Sequence, residues 1–230
     1  MLNIAIIILV AVAPCAFWLW LIYKWDKYKP EPRWLIIRTF LFGMGIAIPV
    51  AIIETVLYPH SIQGDIPVTT AIYVSFVVAG MIEESGKFFV VRVSVYKSPH
   101  FEEPADGLVY SAAIALGFAS LENIIYLVQF GWQIILMRGL LSNVAHVLFS
   151  SLWGYPLALT KLGMMKHKYM TYLGLIAAIV SHGAFDFLFF SGSVYTLVVI
   201  PLFLGMLVLF IFMMKHANRI SPYIEHRVRI

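Results

Sequence analysis

Long apolar runs alternate along the chain with short, mostly basic interruptions. The first run covers residues 2–23 and closes on Lys24-Trp25-Asp26-Lys27-Tyr28-Lys29-Pro30. A hydrocarbon core about 30 Å thick takes about 20 helical residues to cross, so each such run predicts one transmembrane helix. Further runs lie at about 34–58, 67–91, 107–130 and 139–160. Between Lys168 and Lys215 the only charged residue is Asp186. That stretch is too long for one crossing, and the turn formers Ser191-Gly192-Ser193 divide it into two. The pattern predicts an all-α, polytopic transmembrane helical bundle of about seven spans. No internal repeat is visible, and residues 1–230 read as a single integral-membrane domain.

Composition narrows the class. Of 230 residues 61% are hydrophobic and 12% charged, with a mean hydropathy of +0.89. A soluble domain carries about 25% charged residues, so a soluble enzyme and a disordered chain are both excluded. The net charge of +4 sits beside the apolar runs, as topology signals do. The expected partner is therefore the lipid bilayer and not nucleic acid. Lys24, Lys27, Lys29, Arg33 and Arg38 fall between spans one and two, and Arg92 and Lys97 follow span three. Lys161, Lys166 and Lys168 follow span five; Lys215, Arg219, Arg227 and Arg229 form the tail. Seven crossings put all of these on one side, with the N-terminus outside and the C-terminus cytosolic. The opposite connections at 59–66 and 191–193 carry no Lys or Arg, and only Lys87 and Arg138 depart from the rule. Cys15 is alone, which excludes a disulfide framework. Val12-Ala13-Pro14-Cys15 lacks the basic region and the small residue of a lipidation signal, so the first run is expected to remain a span.

The informative charges are those inside the spans. An Asp, Glu or Lys at a helix centre costs about 2.5–3.5 kcal/mol on insertion scales. This chain places Glu54, Glu83, Glu84, Lys87, Glu122 and Asp186 there, together with His146 and His182. Interhelical hydrogen bonding would account for one such residue, but not for a set spread over four neighbouring spans. Lys87 stands at i+4 from Glu83 and i+3 from Glu84, close enough to neutralise one carboxylate and leave the other as a general base. His182 and Asp186, at i and i+4, share one helix face; such a pair can orient the imidazole through its second nitrogen, bind a metal, or donate to a developing oxyanion. At about 1.5 Å per residue, Glu122 lies ~22 Å from the cytosolic end of its span. Asp186 is similarly deep and His146 is near the outer end of span five. The three gather in the outer half, which allows a shared pocket opening to the extracytoplasmic face. Glu54 reads as a water-interface residue, and Arg138 as a partner for an acid at the outer end of span five.

Four motifs, in order along nearly the whole chain, resemble the PrsW membrane proteases, relatives of the CAAX-processing (Abi) superfamily. They are Glu83-Glu84-Ser85-Gly86-Lys87, Phe118 to Glu122 within Gly117-Phe118-Ala119-Ser120-Leu121-Glu122-Asn123, His146, and His182-Gly183-Ala184-Phe185-Asp186. Glu103-Pro104-Ala105-Asp106-Gly107-Leu108-Val109-Tyr110 is similar to the stretch that opens the second of these helices in that family. The resemblance implies an intramembrane endopeptidase of the bacterial cell membrane. Its substrate would be a single-pass anti-sigma factor, cut at site 1 on its extracytoplasmic side. Glu83 would be the base for water, Glu122 would take the place of a histidine that assists the base in the CAAX enzymes, and His182 with Asp186 would match their oxyanion pair. The CAAX enzymes usually carry Asn where this chain has Asp186, so Asp186 is expected to orient His182. The site residues are thus Glu83, Glu84, Glu122, His146, His182 and Asp186, supported by Lys87 and Arg138. No cofactor is favoured; the alternative is a Zn²⁺ shell of Glu83, Glu122, His146 and His182, although HExxH is absent. A proton-coupled transporter using the same acid–histidine relay is the competing function, and it lacks the repeated halves of such folds.

Overall fold

A computed structural model of the chain describes residues 4–59, 66–190 and 193–224, with side chains omitted at 190 and 193–196. It is 84% helical and has no strands among the described residues. We number its helices α1 (Ile4–Trp25), α2 (Arg33–Leu57), α3 (68–94), α4 (Pro104–Phe130), α5 (Gln133–Lys161), α6 (Tyr169–Phe190) and α7 (Ser193–Arg219). All but α3 are long and apolar enough to cross a membrane. Helix α3 is an unbroken run of Val68–Ile72, Tyr73–Met81 and Ile82–Ser94 whose second half holds Glu83, Glu84 and Lys87.

Local chemistry sets the boundaries. Pro32 and Pro67 precede α2 and α3, and Pro104 opens α4, where a missing N–H costs nothing. Asp106 on the first turn of α4 accepts the amides of Glu102 and Glu103, each at 2.7 Å. Gly131, at φ 79°, stops α4 in a conformation that side-chain-bearing residues rarely adopt. The helix predicted from residue 139 begins earlier, at Gln133, because Gly131-Trp132 is the whole connection between α4 and α5. The turn expected at 191–193, the loop at 59–66, Arg227 and Arg229 fall wholly or largely outside the described residues.

Helices α4 and α5 form the centre of the bundle: 78% and 67% of their most apolar stretches are buried, against 11–28% for the other four apolar helices. Small residues bring these axes close, as expected where lipid tails supply no hydrophobic drive for helix association. A Cβ on Gly117 of α4 would fall 1.9 Å from the Phe40 carbonyl oxygen of α2. One on Gly107 would fall 2.1 Å from the Gly154 carbonyl of α5. Two wide π-helical segments interrupt the regular turns. Tyr73–Met81 leads directly into Ile82-Glu83-Glu84, and Arg138–Ser142 begins with the arginine that reaches Glu122. Such segments are rare and gather at functional sites.

Candidate active site

Lys87 is the hub of the polar cluster. An ammonium offers three N–H donors, and all are used: Glu83 Oε2 at 2.9 Å, Glu84 Oε1 at 2.9 Å and His146 Nδ1 at 3.0 Å. The ring of Phe118 lies 4.2 Å from the same nitrogen and adds a cation–π attraction. Accepting from Lys87 leaves His146 Nδ1 without a proton. The ring proton therefore sits on Nε2, 2.8 Å from Glu122 Oε2. Glu122 also takes Arg138 Nη2 at 3.0 Å, while Arg138 Nε donates to Asn123 Oδ1 at 2.8 Å. Asn123 is itself held by bonds from its Nδ2 to Asn143 Oδ1 and to the Ala11 carbonyl, both 3.1 Å.

His182 completes the ring of groups. Its Nε2 lies 3.5 Å from Asp186 Oδ2 and 3.9 Å from Glu83 Oε2, and its Nδ1 lies 3.3 Å from Glu84 Oε1. Phe149 stacks on the imidazole at 4.8 Å between centroids, 19° from parallel, and fixes its plane.

The two adjacent glutamates differ sharply. Glu84 is fully buried and accepts from Ser150 Oγ at 2.9 Å and Trp153 Nε1 at 3.0 Å in addition to Lys87. Glu83 instead lines a cavity of about 760 Å³, with Glu122, His146, His182 and Asp186 around it. That volume is in the range of about 300–1,000 Å³ typical of binding pockets. The cavity reaches Tyr58, Phe130, Ile134 and Phe189, so it lies toward one end of the bundle, away from the basic connections. Glu54, read from the sequence as an interface residue, lies on the cavity wall with its Oε1 buried and unpartnered.

All eight residues singled out in the sequence thus meet in one place. Ser150, Trp153 and Phe149 were not singled out, yet they stand at +4, +7 and +3 from His146, the spacing of one helix face, and that register could have found them. Asn123 was in view beside Glu122 without a role.

One ligand atom from each of Glu83, His146 and His182 lies within 4.8 Å of the others. A carboxylate with two imidazoles is a donor set of catalytic zinc; Glu83 Oε2 and His146 Nδ1 accept from Lys87 here, so a divalent metal would take the place of the ammonium at those two atoms. Glu122 does not join that set. It lies across the His146 ring on Nε2, while Nδ1 faces Glu83 at 3.8 Å, and so it takes the place of an outer partner that orients a ligand.

Fold and site together define a polytopic helical membrane protein with a buried acid–histidine–lysine cluster opening on a cavity. The model of the family described as "PrsW family intramembrane metalloprotease" matches residues 31–214. Protease PrsW of Geobacillus kaustophilus is 37% identical over 177 residues, 77% of this chain and 76% of its own. Protease PrsW of Bacillus subtilis is 34% identical over 197 residues, covering 85% of this chain and 88% of its own. That of Clostridioides difficile is 34% identical over 187 residues, 78% and 77% of the two chains. No solved structure is significantly similar. The chain belongs to the PrsW family of intramembrane metalloproteases; it is a membrane peptidase and a multi-pass bacterial membrane protein. The transporter reading gives way to this.

Proposed function

We propose that the protease cleaves a membrane-anchored anti-sigma factor at site 1, using Glu83 to take a proton from the attacking water. The observation that carries the mechanism is the contrast between neighbours: Glu83 faces the cavity, and Glu84 is tied to Lys87, Ser150 and Trp153. As the water oxygen bonds to the scissile carbonyl carbon, a water proton passes to Glu83. The oxyanion that forms faces the Nε2–H of His182, whose ring is held by Glu84 beside Nδ1 and by the stacked Phe149, with Asp186 next to the donating nitrogen. Breaking the C–N bond sends the proton from Glu83 to the leaving amine. In this scheme Lys87 holds Glu83 in place and Glu122 fixes the His146 tautomer.

The family description and the three converging donors favour a second reading, in which Glu83, His146 and His182 hold a Zn²⁺-like ion. Such an ion, when bound, polarises the carbonyl and lowers the pKa of water. Glu122 on His146 Nε2 and Glu84 beside His182 Nδ1, the ring nitrogens turned away from Glu83, would then hold the two imidazoles in register. Metal analysis of purified protein with cleavage assayed after chelation separates the two. Stoichiometric zinc with chelator-sensitive cleavage selects the metal, and full activity in metal-free protein selects the glutamate.

The positive-inside pattern with seven crossings supports an extracytoplasmic cavity mouth, because the mouth lies away from the Lys- and Arg-rich connections. Co-expression with a single-pass anti-sigma factor, followed by mass spectrometry of the new terminus, tests this. A terminus on the cytosolic side overturns the orientation, and processing that survives both Glu83→Gln and His182→Ala overturns the mechanism.

A further inference from the structure

Four carboxylates meet at the opposite end of the bundle, where α1 ends and α2 and α4 begin. Asp26, Glu31, Glu103 and Asp106 are each at most 4% exposed. Asp106 and Glu122 are sixteen residues apart on α4, or about 24 Å, so this cluster is separate from the active site. One oxygen from each of Asp26, Glu103 and Asp106 lies within 4.8 Å of the others, and Glu31 packs against Asp26 and Asp106.

Three of the four are anchored by a protein donor at one oxygen. The Tyr110 hydroxyl donates to Glu31 Oε2, the Ser221 hydroxyl donates to Glu103 Oε1, and the Glu102 and Glu103 amides donate to Asp106 Oδ2. Their second oxygens, Glu31 Oε1, Glu103 Oε2 and Asp106 Oδ1, and both oxygens of Asp26 make no well-formed hydrogen bond; the Glu31 amide lies near Asp26, the Lys29 amide near Glu103, and the Glu31 and Asp106 carboxyls face each other. Among the described residues no Lys or Arg forms an ion pair with any of the four. Lys29 pairs with Glu102, and Lys161 donates to the Ser98 carbonyl at 2.8 Å. Carboxylate oxygens gathered this closely in one buried spot need a cation or protons among them, because an uncompensated buried carboxylate is very costly. The donors are oxygens only, which suits hard cations and not zinc.

We propose that Asp26, Glu31, Glu103 and Asp106 bind a hard divalent cation, Mg²⁺ or Ca²⁺, that ties the ends of α1, α2 and α4 together. Tyr110 and Ser221 orient the ligands from outside, as hydrogen-bonded outer partners do in metal sites. Without the ion, burial and neighbouring acids push both Asp26 and Glu31 up to about 7. Protons are therefore the competing occupant.

Detergent-purified protein, stripped with chelator, is titrated with MgCl₂ or CaCl₂ while its thermal midpoint is followed. Tb³⁺, sensitised by Tyr110 beside Glu31, reports occupancy directly. We expect a saturable rise in midpoint and saturable Tb³⁺ emission that Ca²⁺ competes away. Asp26→Asn removes one of the repelling charges. It should unfold at a higher temperature than ion-free wild type and lose the ion response. Ser221→Ala keeps all four carboxylates and should weaken binding about 10–100-fold. Wild type that responds to neither ion, or Asp26→Asn that responds as wild type does, overturns the proposal. So does ion-independent stability that merely falls as pH rises through about 7, since protons would then fill the role. None of these readouts depends on proteolysis.

Discussion

Replacing each of the two adjacent glutamates by glutamine separates their roles. In Glu84→Gln the side chain keeps its length but has one acceptor oxygen for three donors. If that oxygen stays with Ser150 and Trp153, at 2.9 and 3.0 Å, the new NH₂ faces the Lys87 ammonium, donor against donor, from 2.9 Å. If the amide flips, the two neutral donors lose their partner instead. A hydrogen bond to a charged group contributes about 1.5–3 kcal/mol, and breaking a buried ion pair costs about 3–5 kcal/mol. Glu83 still neutralises Lys87, so the lower part of that range applies and about 2–4 kcal/mol is expected. For a chain of this size each kcal/mol moves the thermal midpoint by about 2–4 °C, which predicts a fall of about 5–15 °C. Glu83→Gln also loses one bond to Lys87, but its side chain meets the cavity, where water can replace what is lost. Its midpoint should move by less than about 4 °C, while removal of a general base costs about 10²–10⁴ in rate. Thermal unfolding and cleavage of a membrane-anchored substrate, measured on both purified variants, give the comparison. An unchanged midpoint in Glu84→Gln, or normal cleavage by Glu83→Gln, refutes the division of labour.

Three shorter predictions extend the reasoning. Arg138→Gln should free Glu122 from its cation and loosen the His146 ring, lowering kcat about 10–100-fold with little change in KM; a pure KM effect would place Arg138 on the substrate instead. Trp153→Phe deletes the indole donor to buried Glu84 and should lower the midpoint by about 3–12 °C, as expected when a bond to a charged group worth about 1.5–3 kcal/mol is lost. Gly117→Ala forces a Cβ to within 1.9 Å of the Phe40 carbonyl and should destabilise the α2–α4 contact strongly, whereas Gly205→Ala meets nothing within 4 Å and should be neutral or stabilising by up to about 1 kcal/mol. Equal midpoints for the two glycine variants would contradict the close approach.

The helical bundle was legible because apolar runs of membrane length admit few other folds. The candidate site was legible for the complementary reason: Glu83, Lys87, Glu122 and Asp186 stand where a charge is expensive, so each is conspicuous against its own helix. What stayed hidden lacks that contrast. Ser150 and Trp153 are ordinary residues on a membrane helix, and only their shared face with His146 marks them. The choice between Glu83 and Glu84 could not be read from spacing, since both reach Lys87; it depends on a helix 66 residues further on, measured from Glu84 to Ser150. The π-helical segments leave no periodic trace that distinguishes them from ordinary turns. The acidic cluster carries no such contrast: Asp26, Glu31 and Glu103 lie outside the apolar runs, where acids are common and exposed.

The two polar centres put charge at opposite ends of the buried helix α4 and satisfy it differently. At the cavity end, carboxylates are matched by protein cations: Lys87 serves Glu83 and Glu84, and Arg138 serves Glu122. Such pairs hold a fixed geometry, as the proposed mechanism requires of Glu83 at the cavity wall. At the far end the anchoring donors are neutral, namely two hydroxyls and two backbone amides. Neutral donors orient carboxylates without cancelling their charge, and among the described residues no Lys or Arg pairs with these four, which is the place the proposed ion would fill. An exchangeable ion there would make the register of α1, α2 and α4 depend on its concentration, and α4 carries both Asp106 and Glu122. Stability at one end and geometry at the other would then share a single rigid element.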